Sequence, residues 1–299
     1  VAPEQKWLAV TGTNGKTTTV ELTESILKAA GINAFACGNV GTPVIDAVTS
    51  EQKYDYLILE LSSFQLHWSK SAEFVAGSIL NIALDHIDWH GSFSEYAKSK
   101  LDLLSRSVTA ILNGDDSAVV EGSQHWQGRK VFYTLQTPKP GEIGLVEDLL
   151  VDRAFVADPM EAAMFCELNE VQPTAPHSVS NALAAAGLAR AIGIDNEVIR
   201  SAIKKFRPGR HRIETVHSAD SINWVDDSKA TNPHAATASL LSHESVIWIA
   251  GGLAKGAAMD ELVERTAKRI KAAILIGTDR GLIEAALIKY CPNVPRVLI

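Results

Sequence analysis

Ala9-Val10-Thr11-Gly12-Thr13-Asn14-Gly15-Lys16-Thr17-Thr18 decides how the rest of the chain reads. It follows an apolar run, Trp7 to Val10, and leads into the helix-like segment Val20-Glu21-Leu22-Thr23-Glu24-Ser25-Ile26-Leu27. Strand, glycine-bearing turn and helix N-terminus together make a phosphate cradle. Backbone N–H groups point at the anion, and the helix dipole favours its negative charge. Lys16 adds a mobile cation, and Thr17 a hydroxyl able to ligate magnesium. The usual spacing places a glycine where this chain has Val10, so Gly12 is the other glycine of the loop. A Gly-Lys-Thr triplet in an ordinary loop lacks the flanking strand and helix. With both present, the stretch reads as a nucleotide-phosphate site.

Outward from the loop, apolar runs alternate with helical patterns. Phe35-Ala36-Cys37 is a short strand ending in Gly38-Asn39-Val40-Gly41, and Pro43 opens a helix. Tyr56-Leu57-Ile58-Leu59 reads as a strand covered on both faces and delivers Glu60 to its carboxyl end. Ala76 to Ile82 does the same for Asp85-His86-Ile87-Asp88, and Thr109 to Leu112 ends at the turn Asn113-Gly114-Asp115-Asp116. The pattern is weak from there to about Pro176, with short strands and connections. Asn181 to Ala191 and Glu197 to Phe206 are helical. Arg207-Pro208-Gly209-Arg210 breaks the pattern and sets a domain boundary. Beyond it, strand Ile222–Val225 carries Asp226 and Asp227. Thr231-Asn232-Pro233 opens a helix with an Asn cap and Pro at the first helical position. Strands Val246–Ala250 and Ala273–Ile276 follow, each with a helix after it. Alternating strand and helix predicts α/β architecture with parallel sheets in both halves, and ligands outside the carboxyl ends of the strands.

The chain has 299 residues, enough for two domains, is 46% hydrophobic and carries a net charge of −7. No basic run points to nucleic acid, and no apolar stretch approaches the roughly 20 residues of a membrane span. Three scattered cysteines, Cys37, Cys166 and Cys291, exclude a disulfide framework and suit a reducing cytoplasm. There is no initiator Met, Val1-Ala2-Pro3 runs straight into the first strand, and Pro295–Ile299 reads as a strand just beginning. A fragment of a longer chain is the expectation.

Glu60 sits where a carboxylate can share a magnesium ion with Thr17. His86 and His90 are four apart, as on a zinc-binding helix, but the neighbouring Glu is missing and the stretch follows a strand. A histidine beside phosphates instead positions a ligand, and His86 as a ligand suits a site that also tolerates manganese. In a helix over 94–104, Phe93, Ala97, Leu101 and Leu104 share one face at roughly 100° per residue, and Lys100 falls inside that stripe. Periodicity alone favours a lysine reaching back to the surface. An inward lysine would instead lose its charge by desolvation, react with carbon dioxide, and become a carbamate oxygen ligand for metal. Asp227, Lys229 and Thr231 lie between a strand end and a helix N-terminus. With Lys255 and Arg212 they make a basic rim suited to facing the first site across an interdomain cleft.

These residues carry a resemblance. Thr11-Gly12-Thr13-Asn14-Gly15-Lys16-Thr17-Thr18 resembles the ATP loop of the Mur ligases, the ATP-dependent amide-forming enzymes of peptidoglycan synthesis. Glu60-Leu61-Ser62-Ser63-Phe64-Gln65-Leu66, Asp85-His86-Ile87-Asp88 and Asp227-Ser228-Lys229-Ala230-Thr231-Asn232 most resemble the D-glutamate-adding branch. The resemblance implies a P-loop ATPase domain over 1–208 and an incomplete second, Rossmann-like α/β domain over 209–299. It implies that Lys16 and Thr17, within Gly12, Thr13, Asn14, Gly15 and Thr18, hold the ATP phosphates and magnesium. Glu60 and His86 become metal-side residues and Lys100 the family's carbamylated lysine, which reverses the reading from periodicity. Lys16, Lys100 and His86 are then the catalytic set. Asn181 matches the adenine contact, Arg212 and Lys229 phosphate contacts, and Asp227 the ribose contact. Asn39 matches a substrate-side position, and Thr231 and Lys255 positions that receive D-glutamate.

The implied substrates are ATP, UDP-N-acetylmuramoyl-L-alanine and D-glutamate, with Mg2+ or Mn2+, no nucleic acid or membrane partner, and a monomeric cytoplasmic enzyme. The family's UDP-gripping domain is expected before Val1 and the rest of the last domain after Ile299. Two other readings stand beside this one. A folylpolyglutamate synthase shares a version of the loop, but the Ser62-Ser63-Phe64-Gln65 stretch speaks against it. These 299 residues alone are also compatible with a nucleotide-binding core that makes no amide.

Overall fold

The computed structural model describes residues 4–158, 160–254 and 256–299. It divides into two compact units, Val1–Pro208 and Gly209–Ile299.

Among the described residues of the first unit, the chain runs β1 (Lys6–Thr11), α1 (Lys16–Ala29), β2 (Ala34–Gly38), α2 (Val44–Thr49), β3 (Tyr56–Glu60), α3 (Ser63–Trp68) and β4 (Phe74–Ile79). It continues through α4 (Ile87–His90), α5 (Phe93–Leu101), β5 (Ser107–Asn113), α6 (Ser117–Ser123) and β6 (Arg129–Tyr133). Strands β7 (Ile143–Val146), β8 (Leu149–Asp152) and β9 (Ala163–Glu167) precede α7 (Pro176–Ala191) and α8 (Asn196–Lys205). One sheet holds all nine strands in the order β2-β3-β1-β4-β5-β6-β7-β8-β9.

Strand β1 shows why its sequence is apolar throughout. Side chains alternate across a strand, so Leu8 and Val10 enter one core and Ala9 the other. Leu8 and Val10 pack with Ile26 of α1 and Leu183 of α7, whereas Ala9 packs with Leu66 of α3 and Tyr96 of α5. Both faces are covered, as a parallel sheet requires. Helix α7 is buried almost all round, and its alanines allow close approach. A Cβ on Gly187 would lie 2.7 Å from Ile111 Cγ2 of β5.

Parallel sheets form in both units as expected, and each unit adds antiparallel pairing that the sequence pattern does not show. The first sheet is parallel from β2 to β7, but β7, β8 and β9 are antiparallel. These short strands occupy the stretch where the sequence pattern is weak, and the same stretch holds α6, capped by Asp116. Strand β4 also ends at Ile79, three residues before the apolar run does. Leu80 through Ile82 lead the chain away, with Leu80 N–H donating to Thr11 O at 2.9 Å.

In the second unit β10 (Glu214–Ala219) and β11 (Ile222–Asp226) form an antiparallel hairpin. Both central turn residues, Asp220 and Ser221, have positive φ (52° and 63°). That is the turn geometry whose twist matches a hairpin, here without the glycine that advertises it. Then come α9 (Pro233–Leu241), β12 (Val246–Gly251), α10 (Asp260–Thr266), β13 (Ile270–Ile276), α11 (Arg280–Tyr290) and β14 (Arg296–Leu298). The three last strands are parallel in the order β12-β13-β14. Asn232 caps α9 as its sequence predicts, its Oδ1 accepting from Ala235 N–H at 2.9 Å. Leu240, Leu262, Val263, Leu275 and Leu287 form this unit's core. Alternate residues of β12, Ile247 and Ile249, are 62% and 54% exposed.

Asp152 at the end of β8 is fully buried. Its Oδ1 accepts from the N–H groups of Ala154 and Phe155, and its Oδ2 from Arg190 Nε of α7 at 3.0 Å. Removing one partner of such a pair strands the other charge away from water. Arg190→Ala is expected to lower the unfolding free energy by about 3–5 kcal/mol, read from the urea midpoint. A loss below about 1 kcal/mol, the range of an exposed pair, would contradict the assignment.

Candidate active site

The loop from Gly12 to Gly15 leaves β1 and enters α1 at Lys16. Gly15 has φ +88°, a conformation L side chains rarely adopt, and a Cβ there would sit 2.4 Å from Asn181 Oδ1 of α7. The loop therefore closes only with glycine, and Asn181 lies directly against it. Asn81 holds the other side. Its backbone carbonyl accepts from Thr13 N–H at 2.9 Å, its Oδ1 from Asn14 N–H at 2.8 Å, and its Nδ2 donates to Asn14 O at 3.1 Å. Thr17 and Thr18 stand in the first turn of α1, and Thr18 lines a narrow cleft with Ser178, Ala182 and Phe206.

Two lysines converge on the loop. Lys16 Nζ donates to Gly12 O at 2.9 Å and Thr13 O at 3.0 Å, and Lys100 Nζ donates to the same Gly12 O at 2.9 Å. Lys100 is 2% exposed, with its Nζ 4.8 Å from the Tyr96 ring centroid. Burial, and then the Lys16 charge, push its ammonium pKa well below the ordinary 10.5, with Asp85 opposing. The surface-seeking lysine that periodicity favours is thus overturned. The inward face of α5 is Tyr96, Ser99 and Lys100, while Phe93 is 37% exposed. Tyr96 fixes that rotation, because its hydroxyl lies 2.9 Å from Thr13 Oγ1 inside the loop.

Glu60 ends β3 opposite Val10 of β1 and Gly38 of β2. It is 2% exposed. Oε1 accepts from Asn39 Nδ2 at 3.1 Å, and Oε2 is buried without a hydrogen-bond partner among the described residues. A buried carboxylate oxygen without a donor is costly. A divalent cation satisfies it, and carboxylate with threonine hydroxyl is the oxygen donor set that magnesium takes. The residues present therefore fit the metal. Lys100 as an ammonium is no ligand; only as a carbamate would it join them.

His86 has φ 52° at the start of α4, with Nε2 3.7 Å from Asp85 Oδ2 and its ring edge-on to Phe64 at 5.0 Å. His90 does not pair with it around an ion. Its Nε2 lies 2.9 Å from Ser63 Oγ and its Nδ1 3.5 Å from Ser99 Oγ, bridging α3 to α5. Burial first, then His67, His86 and Lys100, lower its pKa. Sequence reading missed Asn81, Tyr96 and this bridge. Each is a tertiary contact of a residue type common on surfaces.

In the second unit Asp227 Oδ1 accepts from Ile213 N–H at 3.2 Å, next to Arg212, and Lys229 N–H donates to His211 O at 3.3 Å. The backbone at 211–213 thus lies against Asp227 and the backbone of Lys229 at the base of the hairpin, with exposed Thr231 just beyond. Lys255 lies outside the described residues. Among those described, one trio has the spacing of a metal cluster, His211, Glu214 and Asp226. Its groups are already engaged: His211 Nδ1 to Asp226 Oδ2 at 2.6 Å, and His211 N–H to Glu214 Oε2 at 2.8 Å. The His211 hydrogen bond leads the causes that hold the Asp226 carboxyl down to about 2.

Comparison with known families and structures agrees with this geometry. Residues 10–189 match the Mur ligase middle domain, and residues 211–295 the Mur ligase, glutamate ligase domain. A UDP-N-acetylmuramoylalanine–D-glutamate ligase of Streptomyces coelicolor is 52% identical over 97% of this chain and 63% of its own length. The protein of that name from Thermobifida fusca is 50% identical over 98% of this chain and 64% of its own. The chain thus spans under two thirds of these relatives. Among solved structures, MurF from Acinetobacter baumannii superposes with TM-score 0.76 at 18% identity, over 99% of this chain and 68% of that one. MurF ligase from Thermotoga maritima, in complex with ADP, gives 0.66 at 17% identity, over 98% and 75%.

The buried Lys100 has a measurable signature. Its folded pKa is depressed, so between that value and 10.5 the folded state binds fewer protons than the unfolded state. Stability should rise with pH across this window, by up to about 1.4 kcal/mol per pH unit. In bicarbonate-free buffer, Lys100→Met should lose that slope in urea unfolding. Identical slopes in the two proteins would contradict a desolvated Lys100.

Proposed function

The chain belongs to the Mur ligase family, and on that premise we propose that it serves the ATP-dependent joining of D-glutamate to UDP-N-acetylmuramoyl-L-alanine. One observation carries the reading: Lys16 and Lys100 meet on Gly12 O of a phosphate-type loop, and the strand before that loop pairs with the end of β3 at Glu60, whose Oε2 has no hydrogen-bond partner among the described residues. The identity of about half to ligases that bear this activity in their names supports the choice of substrates.

In this mechanism the L-alanine carboxylate attacks the γ-phosphate of ATP, giving an acyl phosphate and ADP. The amine of D-glutamate then attacks the acyl carbon, phosphate leaves, and the amide forms. Two anions must meet in the first step, so the site has to gather positive charge without moving it during reaction. Loop N–H groups and Lys16, exchanging its backbone carbonyls for phosphate oxygens, hold the triphosphate. Asn181 is proposed to meet the base, a reading its position against Gly15 supports. Thr17, Glu60, His86 and Lys100 would hold magnesium or manganese, which supplies charge neutralisation at the phosphates. Lys100 reaches that role as a neutral amine: its nitrogen bonds the carbon of carbon dioxide and releases a proton, leaving a carbamate.

Arg212, Asp227 and Lys229 are proposed as phosphate and ribose contacts from the second unit, and Thr231 and Lys255 as D-glutamate contacts. Asn39 is proposed on the substrate side. No described helix is long and apolar enough to cross a membrane. The three cysteines are free thiols, which supports placing the reaction in the reducing cytoplasm.

The test is ADP release by the full-length protein. Sustained release over many turnovers should require ATP, UDP-N-acetylmuramoyl-L-alanine and D-glutamate together, and glutamylation of a folate instead would overturn the reading. Lys16→Ala should cost at least about 3 kcal/mol of barrier. Near-normal turnover would remove Lys16 from the phosphate site. Lys100→Ala should lose activity that bicarbonate does not restore and short added carboxylates partly do. Wild-type rates in that variant would remove the carbamate.

A further inference from the structure

Glu60 has two carboxylate oxygens in different circumstances. Oε1 takes the Asn39 amide at 3.1 Å, and Oε2 is the buried atom without a donor. Among the described residues no other side-chain hydrogen bond orients this carboxylate, so the Asn39 bond fixes which oxygen is presented. The backbone reinforces the pairing. Asn39 N–H donates to Glu60 O at 2.9 Å, and Gly38 N–H to Thr42 O at 2.9 Å, which turns the chain just after β2. This approach depends on Gly38. Its φ is +124°, and a Cβ there would lie 2.4 Å from Glu60 O.

We propose that Asn39 is a positioning residue for Glu60, holding Oε1 so that Oε2 alone is offered to a divalent cation. This role rests on the reading of Glu60 as a metal ligand and adds to the substrate-side role proposed for Asn39. One Nδ2 hydrogen is committed to Glu60, while the other hydrogen and the amide oxygen remain for substrate. The same side chain would then tie metal binding to substrate binding. Asn39 is exposed, so its truncation removes little packing. A partner that orients a metal-binding carboxylate is worth about 10–100-fold in affinity.

The experiment is Mn2+ binding followed by electron paramagnetic resonance with ADP present, alongside thermal unfolding, for wild type, Asn39→Ala, Asn39→Gln and Glu60→Gln. Asn39→Ala is expected to weaken Mn2+ binding about tenfold or more in a protein that still unfolds in one cooperative thermal transition. Asn39→Gln, which keeps the amide donor on a longer arm, should fall between it and wild type. Glu60→Gln should weaken binding at least as much as Asn39→Ala. Wild-type Mn2+ affinity in Asn39→Ala, with Glu60→Gln impaired, overturns the positioning role and leaves the metal reading standing. Wild-type affinity in Glu60→Gln overturns the metal reading itself.

Discussion

Gly12 O is the point on which the first unit turns. One backbone carbonyl accepts from Lys16 Nζ and from Lys100 Nζ, each at 2.9 Å. Two ammonium groups on one oxygen repel each other, and one of them is almost wholly removed from water. The system relieves this by lowering the Lys100 pKa, since a neutral amine still donates the hydrogen bond but carries no charge to desolvate. The contact locks α5, 88 residues away in sequence, onto the end of β1. Tyr96, one turn earlier on α5, adds its own bond to Thr13. Loop and helix are thus tied by two hydrogen bonds, the kind of fixed scaffold that a preorganised phosphate site requires.

The sheet explains why these groups meet at all. Parallel strands deliver their carboxyl ends to one edge, and the loops that follow β1, β2, β3 and β4 start within neighbouring registers there. Val10 pairs with Glu60, Gly38 with Glu60, and Val10 with Ser78. Asn39, Glu60, Asn81 and Gly12 therefore lie near one another because of the strand order β2-β3-β1-β4, not because of their spacing in the chain. Apolar burial on both faces of these strands holds the edge still.

Local features were legible in the sequence and tertiary ones were not. The loop, the Glu60 strand end and the Asn232 cap could be read because each is decided by a few adjacent residues and one periodicity. The stripe over 93–104 was legible in part: Ala97, Leu101, Leu104 and Lys100 face the core as the spacing predicts, but Phe93 is exposed and Tyr96 turns inward for a partner in the loop. Asn81 has no local mark; its importance lies in three hydrogen bonds to residues 13 and 14. The antiparallel β7–β9 edge and the β10–β11 hairpin were hidden for a related reason. Their strands are short or exposed, and Asp220-Ser221 turns without glycine.

On the proposed reading, the carboxyl-end loops of the first sheet gather a nucleotide phosphate and a divalent cation around Glu60. Anomalous diffraction from crystals grown with Mn2+ and ADP tests it most directly. One strong peak is expected in coordination contact with Glu60 Oε2 and the Thr17 hydroxyl, beside density for the ADP phosphates on the loop. Manganese bound instead at His211, Glu214 and Asp226, with Glu60 Oε2 left uncoordinated, would contradict it.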